Sequence, residues 1–465
     1  TEMIFDGLER FADRIAIITA TKQYSYRELL LWADDIVSCI QTGDVVLLLS
    51  DNTVETVVAY IGAMRKKIPT IILNAHTPLD NIIDIVRRFL PTHIVGVNDK
   101  LEIEGYRKSL KKDRTTIWST VSSLSTCVNE ELAILLTTSG STGSPKLVRL
   151  SHLNLLANTT SICQYLNIKS DDIGITCLPL YYSFGLSLLN THLYQGASVI
   201  VTDESFLNPL FWKMIQEYHV TTFSGVPYSF SILKRIGLDR FDLSSVRYVT
   251  QAGGKLPKED VEYWDNYFKK RGIDLIVMYG QTEATARMSY LPSAFLKNHS
   301  GSIGIAIPGG RFSIIKDGKI VTTSESEGEL IYQGDNVSMG YAENKDDLTL
   351  GDCNQGTLHT GDLAYRDKDG FYYITGRMKR FVKLFGNRTN LDELEGILKQ
   401  NGIEALCAGT DDNLRIYIKD LSLRDKTEEI IRKNTLISTL AYKIIVIDHF
   451  PISESGKIMY AKLLE

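Results

Sequence analysis

The run Val45-Val46-Leu47-Leu48-Leu49 is apolar at every position, and apolar residues at helical spacing flank it over 26–40 and 54–64. A strand apolar on both faces must be covered on both faces, and helices on either side of a mostly parallel sheet are the standard solution. The pattern repeats. A second apolar stretch, 68–73, is entered through Pro69; a helical stretch follows at 79–89 behind Pro78; a third strand is expected at 94–97. After residue 150 it returns. Ser151-His152-Leu153-Asn154 opens a helix with Ser151 or Asn154 able to cap, and strands are expected at 197–201, 220–223 and 275–279. The fold class is therefore α/β, with layered sheets.

Two further textures follow. Over about 312–376 short β stretches alternate with turn signals such as Lys316-Asp317-Gly318-Lys319, Asp335-Asn336 and Asp367-Lys368-Asp369-Gly370, which predicts a β-rich subregion with hairpins. Beyond the polar junction Arg377-Met378-Lys379-Arg380 comes a small α+β module. It has helices at 391–399 and near 426–440, and strands at 405–408, 414–418 and 443–447. The expected organisation is a large domain over 1–378 and a small one over 379–465, joined by a hinge.

Composition excludes several classes. Fifty-one basic against 56 acidic residues leave a net charge of −5, with no long basic run, which argues against general nucleic-acid binding. The longest aliphatic runs are strand-sized, so no membrane span is expected. The first residues show no basic start followed by an apolar stretch, so no signal peptide is expected and the cytoplasm is the expected location. The six cysteines (Cys39, Cys127, Cys163, Cys177, Cys353, Cys407) include no C-x-x-C pair and read as free, mostly buried thiols.

The chemistry-bearing segments are few. Thr137-Thr138-Ser139-Gly140-Ser141-Thr142-Gly143-Ser144 holds six hydroxyl residues and two glycines, followed by Pro145-Lys146. Backbone N–H groups freed by glycine, hydroxyl donors and a cation suit a polyphosphate. A P-loop is excluded, because Pro145 precedes Lys146 where glycine is required and Leu147 follows where Ser or Thr would hold magnesium. Met278-Tyr279-Gly280-Gln281-Thr282-Glu283 leaves the end of a predicted strand, where open α/β sheets bind ligands. There an aromatic can stack on a base, a hydroxyl can reach a phosphate and a carboxylate can hold Mg²⁺. Thr360-Gly361-Asp362 puts an aspartate after a glycine turn; alone, such a residue is usually a turn former. The segment 376–388 carries Arg377, Lys379, Arg380, Lys383 and Arg388 with no acid, and Gly376 and Gly386 punctuate it. Ser455-Gly456-Lys457 places a lysine on a glycine turn near the C-terminus.

In this order, the segments resemble the adenylate-forming (AMP-binding) superfamily of acyl-CoA synthetases, adenylation domains of peptide synthetases, and luciferases. The resemblance spans nearly the whole chain. It implies that Thr138, Ser139, Gly140, Ser141, Thr142, Gly143 and Lys146 hold the ATP phosphates, with Thr138 near the metal. It implies that Gly253, Gly254 and Tyr279 hold adenine, with Gly280 and Gln281 in the same turn. Thr282 would contact the α-phosphate, Glu283 would ligate Mg²⁺, and Asp362 and Arg377 would bind ribose. Lys457 would bridge the carboxylate and the α-phosphate. Lys379 would be the hinge, and Lys383, Gly386 and Arg388 would serve the thiol-acceptor side. The implied activity is an ATP-dependent acid–thiol ligase forming acyl-AMP, with CoA or carrier-protein phosphopantetheine as acceptor; a non-catalytic nucleotide or acyl binder is the alternative.

Some positions depart from the family pattern. Leu147 stands where glycine is common. Tyr182 replaces the histidine of L-P-x-F-H-x-x-G in Leu178–Gly185 and would act as an aromatic gate. Tyr182, Gly185 and Tyr228 are expected to line the acyl pocket, and the surrounding aromatics suggest a small or medium apolar acid. Arg287 either joins a salt bridge within the scaffold, the favoured reading, or meets a second substrate carboxylate.

Overall fold

The computed structural model describes residues 2–121, 127–137, 146–378, 380–384, 387–410, 413–435, 437–453 and 458–464. The chain divides into two compact units. One takes the described residues up to 311 together with 333–358; the other takes 312–332 together with 359–464.

The first unit holds two sheets. In the eight-stranded sheet, Leu132–Thr137, Thr70–Asn74, Val46–Ser50 and His93–Gly96 are adjacent and parallel. Antiparallel strands close both sides: Leu147–Ser151 then Gly340–Ala342 on one, Thr115–Thr120 then Tyr106–Lys112 on the other. In the nine-stranded sheet, Asp274–Tyr279, Tyr248–Gln251, Thr222–Gly225, Ile173–Ile175, Ser198–Ile200 and Ile15–Ile18 run parallel. One apolar core joins residues of both sheets to the helices Tyr26–Ile36, Val54–Arg65 and Ser183–Tyr194. The second of these is buried from Val54 through Met64, because a helix covered on all sides has no solvent face to make polar. Sequence signals start the helices where expected. Ser25 makes a capping box with Glu28, and Ser151 makes one with Asn154.

Arg149 is fully buried in Leu147–Ser151 and is satisfied by carbonyls. It donates to Tyr341 O (3.1 Å), Leu350 O (2.6 Å), Gly351 O (3.2 Å) and Met339 O (2.7 Å). This fan ties the 339–353 segment to the strand that follows Lys146.

In the second unit a five-stranded sheet runs in the order Lys319–Ile320, Arg311–Lys316, Gly328–Gln333, Thr357–Arg366, Tyr372–Arg377. The hairpin at 316–319 forms as read, with φ of 50° at Asp317 and 74° at Gly318. The C-terminal module pairs Ala405–Thr410 with Asn413–Ile418, and the latter with Tyr442–Val446; Leu391–Gln400 and Arg424–Asn434 pack on this sheet.

Three expectations need correction. The first helix ends at Ile36, not residue 40, because the turns that follow keep the i, i+3 spacing that buries Val37 and Ile40. The helix expected over 426–440 is Arg424–Asn434, since the Thr435 hydroxyl bonds back to Ile431 O and the chain turns extended there. The cysteines are free, but Cys39, Cys127 and Cys353 are exposed and only Cys163 and Cys407 are buried.

Two buried histidines make stability pH-dependent. Burial pushes both His152 and His192 down to about 4. His192 Nδ1–H donates to Leu188 O at 2.9 Å, and among the described residues Nε2 has no partner to accept a proton from it. An unfolded histidine titrates near about 6.5, so the unfolded chain binds more protons between about 4 and 6.5. We expect stability present above pH 6.5 to decline by roughly 3 kcal/mol per histidine as pH falls to 4. Urea midpoints across this range check it; a His152→Gln, His192→Gln double variant should flatten the slope.

Candidate active site

Three adjacent parallel strands, Thr222–Gly225, Tyr248–Gln251 and Asp274–Tyr279, pair in register, with Gly225 opposite Gln251 and Gln251 opposite Val277, and the third runs on to Tyr279. The carboxyl ends of such strands are where α/β sheets present ligand groups. Out of this edge come Val226-Pro227, Ala252-Gly253-Gly254 and Gly280-Gln281-Thr282-Glu283.

Gly253 has φ +81°, and a Cβ there would stand 2.9 Å from both Tyr182 Oη and Val226 Cγ1. An aromatic hydroxyl and an aliphatic side chain thus close onto bare backbone here, an approach that only glycine allows. A Cβ on Gly280 would lie 1.8 Å from Ala286 O, so only glycine lets the chain fold back on itself past Glu283. Gln281 Nε2 donates to Tyr279 Oη at 3.3 Å. Thr282 Oγ1 lies 3.3 Å from Ser183 Oγ at the start of helix Ser183–Tyr194.

Glu283 is held from a distant part of the chain. Tyr341 Oη donates to Glu283 Oε1 at 2.8 Å, while Oε2 has no hydrogen-bond partner among the described residues. Burial and the adjacent Glu283 charge raise the Tyr341 phenol above its ordinary range, keeping it a donor. Lys146 pairs with Glu343 at 2.8 Å, and both side chains are exposed. The pairing of Leu147 with Ala342 and Val148 with Tyr341 brings the Lys146 end of one strand beside the Tyr341 end of the next. A carboxylate with one open oxygen and a solvated lysine on this edge form a donor set fit for a magnesium–phosphate group. Leu147, where family members often have glycine, is fully buried as the first residue of its strand.

The turn after Glu283 is strained. Thr285 adopts φ 69°, ψ −64°, and Ala286 N donates to Ala284 O at 2.8 Å, which is a γ-turn on a β-branched residue. Such a residue costs on the order of 1–3 kcal/mol and needs its surroundings to hold it. Asn336 does so: it accepts from Thr285 Oγ1 at its carbonyl (2.7 Å), and its Nδ2 donates to Ala284 O (3.0 Å) and Arg287 O (3.2 Å).

Arg287 is buried and, among the described residues, its guanidinium meets Ser187, Tyr165 and Met278 rather than a carboxylate. The acyl-pocket residues separate. Tyr182 joins the apolar cluster of Leu178, Phe184, Val226, Ala252 and Met278, and burial pushes its phenol up to about 12. Gly185 packs against Pro179 O, whereas Tyr228 is 53% exposed.

In the second unit, Asp362 and Arg377 are cross-strand partners, with Nε to Oδ1 at 3.2 Å and the carboxylate buried. Arg380 is not part of a solvated basic face. It pairs with Asp392 and Glu395 and lies 3.7 Å over the Tyr460 ring. Lys383 and Arg388 are register partners in the ladder Phe381–Leu384 with Asn387–Asn390. Thr138, Ser139, Gly140, Ser141, Thr142, Gly143, Lys379, Gly386 and Lys457 lie outside the described residues.

Sequence reasoning missed Tyr341, Glu343 and Ser183 as site residues. Asn336 was read only as a turn former, and nothing near it in sequence announces Ala284 or Arg287 as its partners.

The model of the AMP-binding enzyme family matches residues 4–342. The chain belongs to the AMP-binding enzyme family. A 2-succinylbenzoate–CoA ligase of Bacillus cereus (strain Q1) is 31% identical over 273 residues, covering 58% of this chain and 54% of that protein, so the matched region spans about half of the relative's length. Among solved structures, O-succinylbenzoate coenzyme A synthetase from Bacillus subtilis in complex with AMP superposes with a TM-score of 0.79 at 21% identity, covering 100% of this chain and 98% of that one. The same enzyme with ATP and magnesium ion gives 0.78 at 21% identity, covering 98% and 99%. At this identity the structures establish a shared fold: layered α/β sheets in a large N-terminal part with a small C-terminal domain.

Asn336→Ala should lower stability by about 1–3 kcal/mol, because the Ala284 and Arg287 carbonyls each lose one of their two donors. Chemical denaturation checks this; an unchanged midpoint would show that the γ-turn does not need the Asn336 side chain.

Proposed function

We propose that the protein is an AMP-forming acid–thiol ligase: it activates a carboxylic acid as acyl-AMP and passes the acyl group to a thiol. The observation that carries the reading is the gathering of Gly253, Tyr279, Thr282 and Glu283 at one in-register strand edge. Membership of the AMP-binding family and the CoA-ligase names of its relatives support it.

In this reading Gly253, Gly254 and Tyr279 hold adenine, Asp362 and Arg377 the ribose, and Thr282 the α-phosphate. Thr138–Gly143 and Lys146 take the β- and γ-phosphates. The Lys146–Glu343 pair is solvent-screened, so a phosphate competes for the lysine readily. Glu283 Oε2 and Thr138 are the candidate Mg²⁺ ligands, and the ion, when bound, neutralises phosphate charge. The acid's oxygen forms a bond to the α-phosphorus while the bond to pyrophosphate breaks. Lys457 stabilises the charge shared by carboxylate and phosphate. A thiolate then attacks the acyl carbon, forming the thioester and releasing AMP.

Residues 379–465, a small domain separate from the large domain 1–378, would pivot at Lys379, withdrawing Lys457 and presenting Lys383, Gly386 and Arg388 to the acceptor. Acceptor thiols are CoA or the phosphopantetheine of an acyl carrier protein, and the cytoplasm supplies both ATP and CoA. No described helix is long and apolar enough to cross a membrane.

The test is acid-dependent exchange of pyrophosphate into ATP over a carboxylic-acid panel that includes 2-succinylbenzoate. Exchange with at least one acid is expected; ATP binding without exchange for any acid would favour a non-catalytic binder. Lys457→Ala should lose adenylation by about 10²–10⁴-fold and keep thioester formation from supplied acyl-AMP. Equal loss of both half-reactions would remove the assigned role.

A further inference from the structure

We propose that Arg287 is the counter-charge for a second, distal carboxylate on the acid, so that the preferred substrate is a dicarboxylic acid; this rests on the acid-activating reading above. Arg287 is 3% exposed. Its Nη2 donates to Ser187 Oγ at 3.1 Å, while Nη1 meets Tyr165 Oη at 3.4 Å and Met278 Sδ at 3.5 Å. Its guanidinium carbon lies 5.0 Å from the Phe184 ring centroid. Among the described residues, Nε is buried without a hydrogen-bond partner. A guanidinium stays charged and offers five donors in a rigid fork. Here the fork is filled by long or weak neutral contacts, and its charge is unopposed.

The other buried carboxylates of this unit are committed elsewhere. Asp172 is gripped by Arg247, Asp265 by Lys269, and Glu55 faces Arg114 at 3.8 Å. Removing a cation from water without an anion beside it is expensive, and a fold that retains one leaves room for the anion to come from outside. Position argues the same way. Arg287 touches Phe184 and Ser187 on the helix that begins beside Tyr182, and Met278 directly before Tyr279. Phe184 and Met278 share one apolar cluster with Tyr182, Val226 and Ala252, the residues packed around Gly253. A small pocket of about 10 Å³, room for a single water, is lined by Asn158, Ser183, Ser187 and Ala286, and Ser187 also meets Arg287. An acid with its reacting carboxylate near Thr282 and Ser183 would reach the guanidinium by parting the side chains of this cluster.

The backbone under Arg287 is clamped. Asn158 Nδ2 donates to Arg287 O at 2.8 Å, Arg287 N donates to Asn158 Oδ1 at 3.4 Å, and Asn336 adds its own bond to the same carbonyl. With the strained turn at Thr285 just before it, this aims the side chain inward rather than letting it reach solvent.

The experiment is pyrophosphate exchange with chain-matched pairs: butyrate and succinate, hexanoate and adipate, benzoate and phthalate, 4-phenylbutyrate and 2-(3-carboxypropyl)benzoate. For at least one pair the wild type should favour the diacid by 100-fold or more in kcat/KM. Arg287→Met should lower that diacid's kcat/KM by 100-fold or more, mainly through KM, while its monoacid partner is unchanged or improved, and Arg287→Lys should recover part of the loss. Monoacids equal to or better than their diacids in every pair would overturn the proposal from the wild type alone, even if the variants do not fold. So would an Arg287→Met effect equal on both members of a pair, which marks a structural role. Exchange with no acid at all would instead reject the acid-activating reading on which the proposal stands.

Discussion

The constraint that organises the first unit is that its two parallel sheets share one set of apolar helices. Val54–Arg65 and Ser183–Tyr194 are buried nearly throughout because each must satisfy a sheet or a neighbouring helix on every side. Polar chemistry is thereby excluded from the layers and pushed to the strand ends. The paired ends of 222–225, 248–251 and 274–279 then put three loops on one edge, so Gly253, the Thr282 turn and Glu283 are neighbours without long excursions of chain.

The polar groups that remain inside are there for stated reasons. Arg149 is saturated by four carbonyls and works as a staple between a strand and the segment that carries Tyr341. Arg287 has no such saturation. The contrast between the two buried arginines, one fully answered and one not, is the ground on which the proposal for Arg287 stands.

Much of this was legible in the sequence. Continuous apolar strands, the helix cap at Ser151, the Asp317-Gly318 turn and the Tyr279–Glu283 segment each carry a local physical signature. What escaped reading was either unpatterned or long-range. The edge hairpin Tyr106–Lys112 with Thr115–Thr120 has a strand with no buried residue, so alternation of apolar and polar residues cannot announce it. Tyr341 is 58 positions from Glu283, and Asn336 is 51 from Thr285; only the paired strands and turns bring them together. Arg380 was read as one of a run of cations, yet Asp392, Glu395 and Tyr460 enclose it, a set that no single stretch of sequence displays.

The space above Gly253 is shared property. The Tyr182 hydroxyl and Val226 Cγ1 both stand where a side chain at 253 would begin, and φ of +81° strains any residue but glycine there. Position 253 is therefore fixed, and any change in the width of this space falls to 182 alone: a shorter residue opens it, and a bulkier one closes on bare backbone.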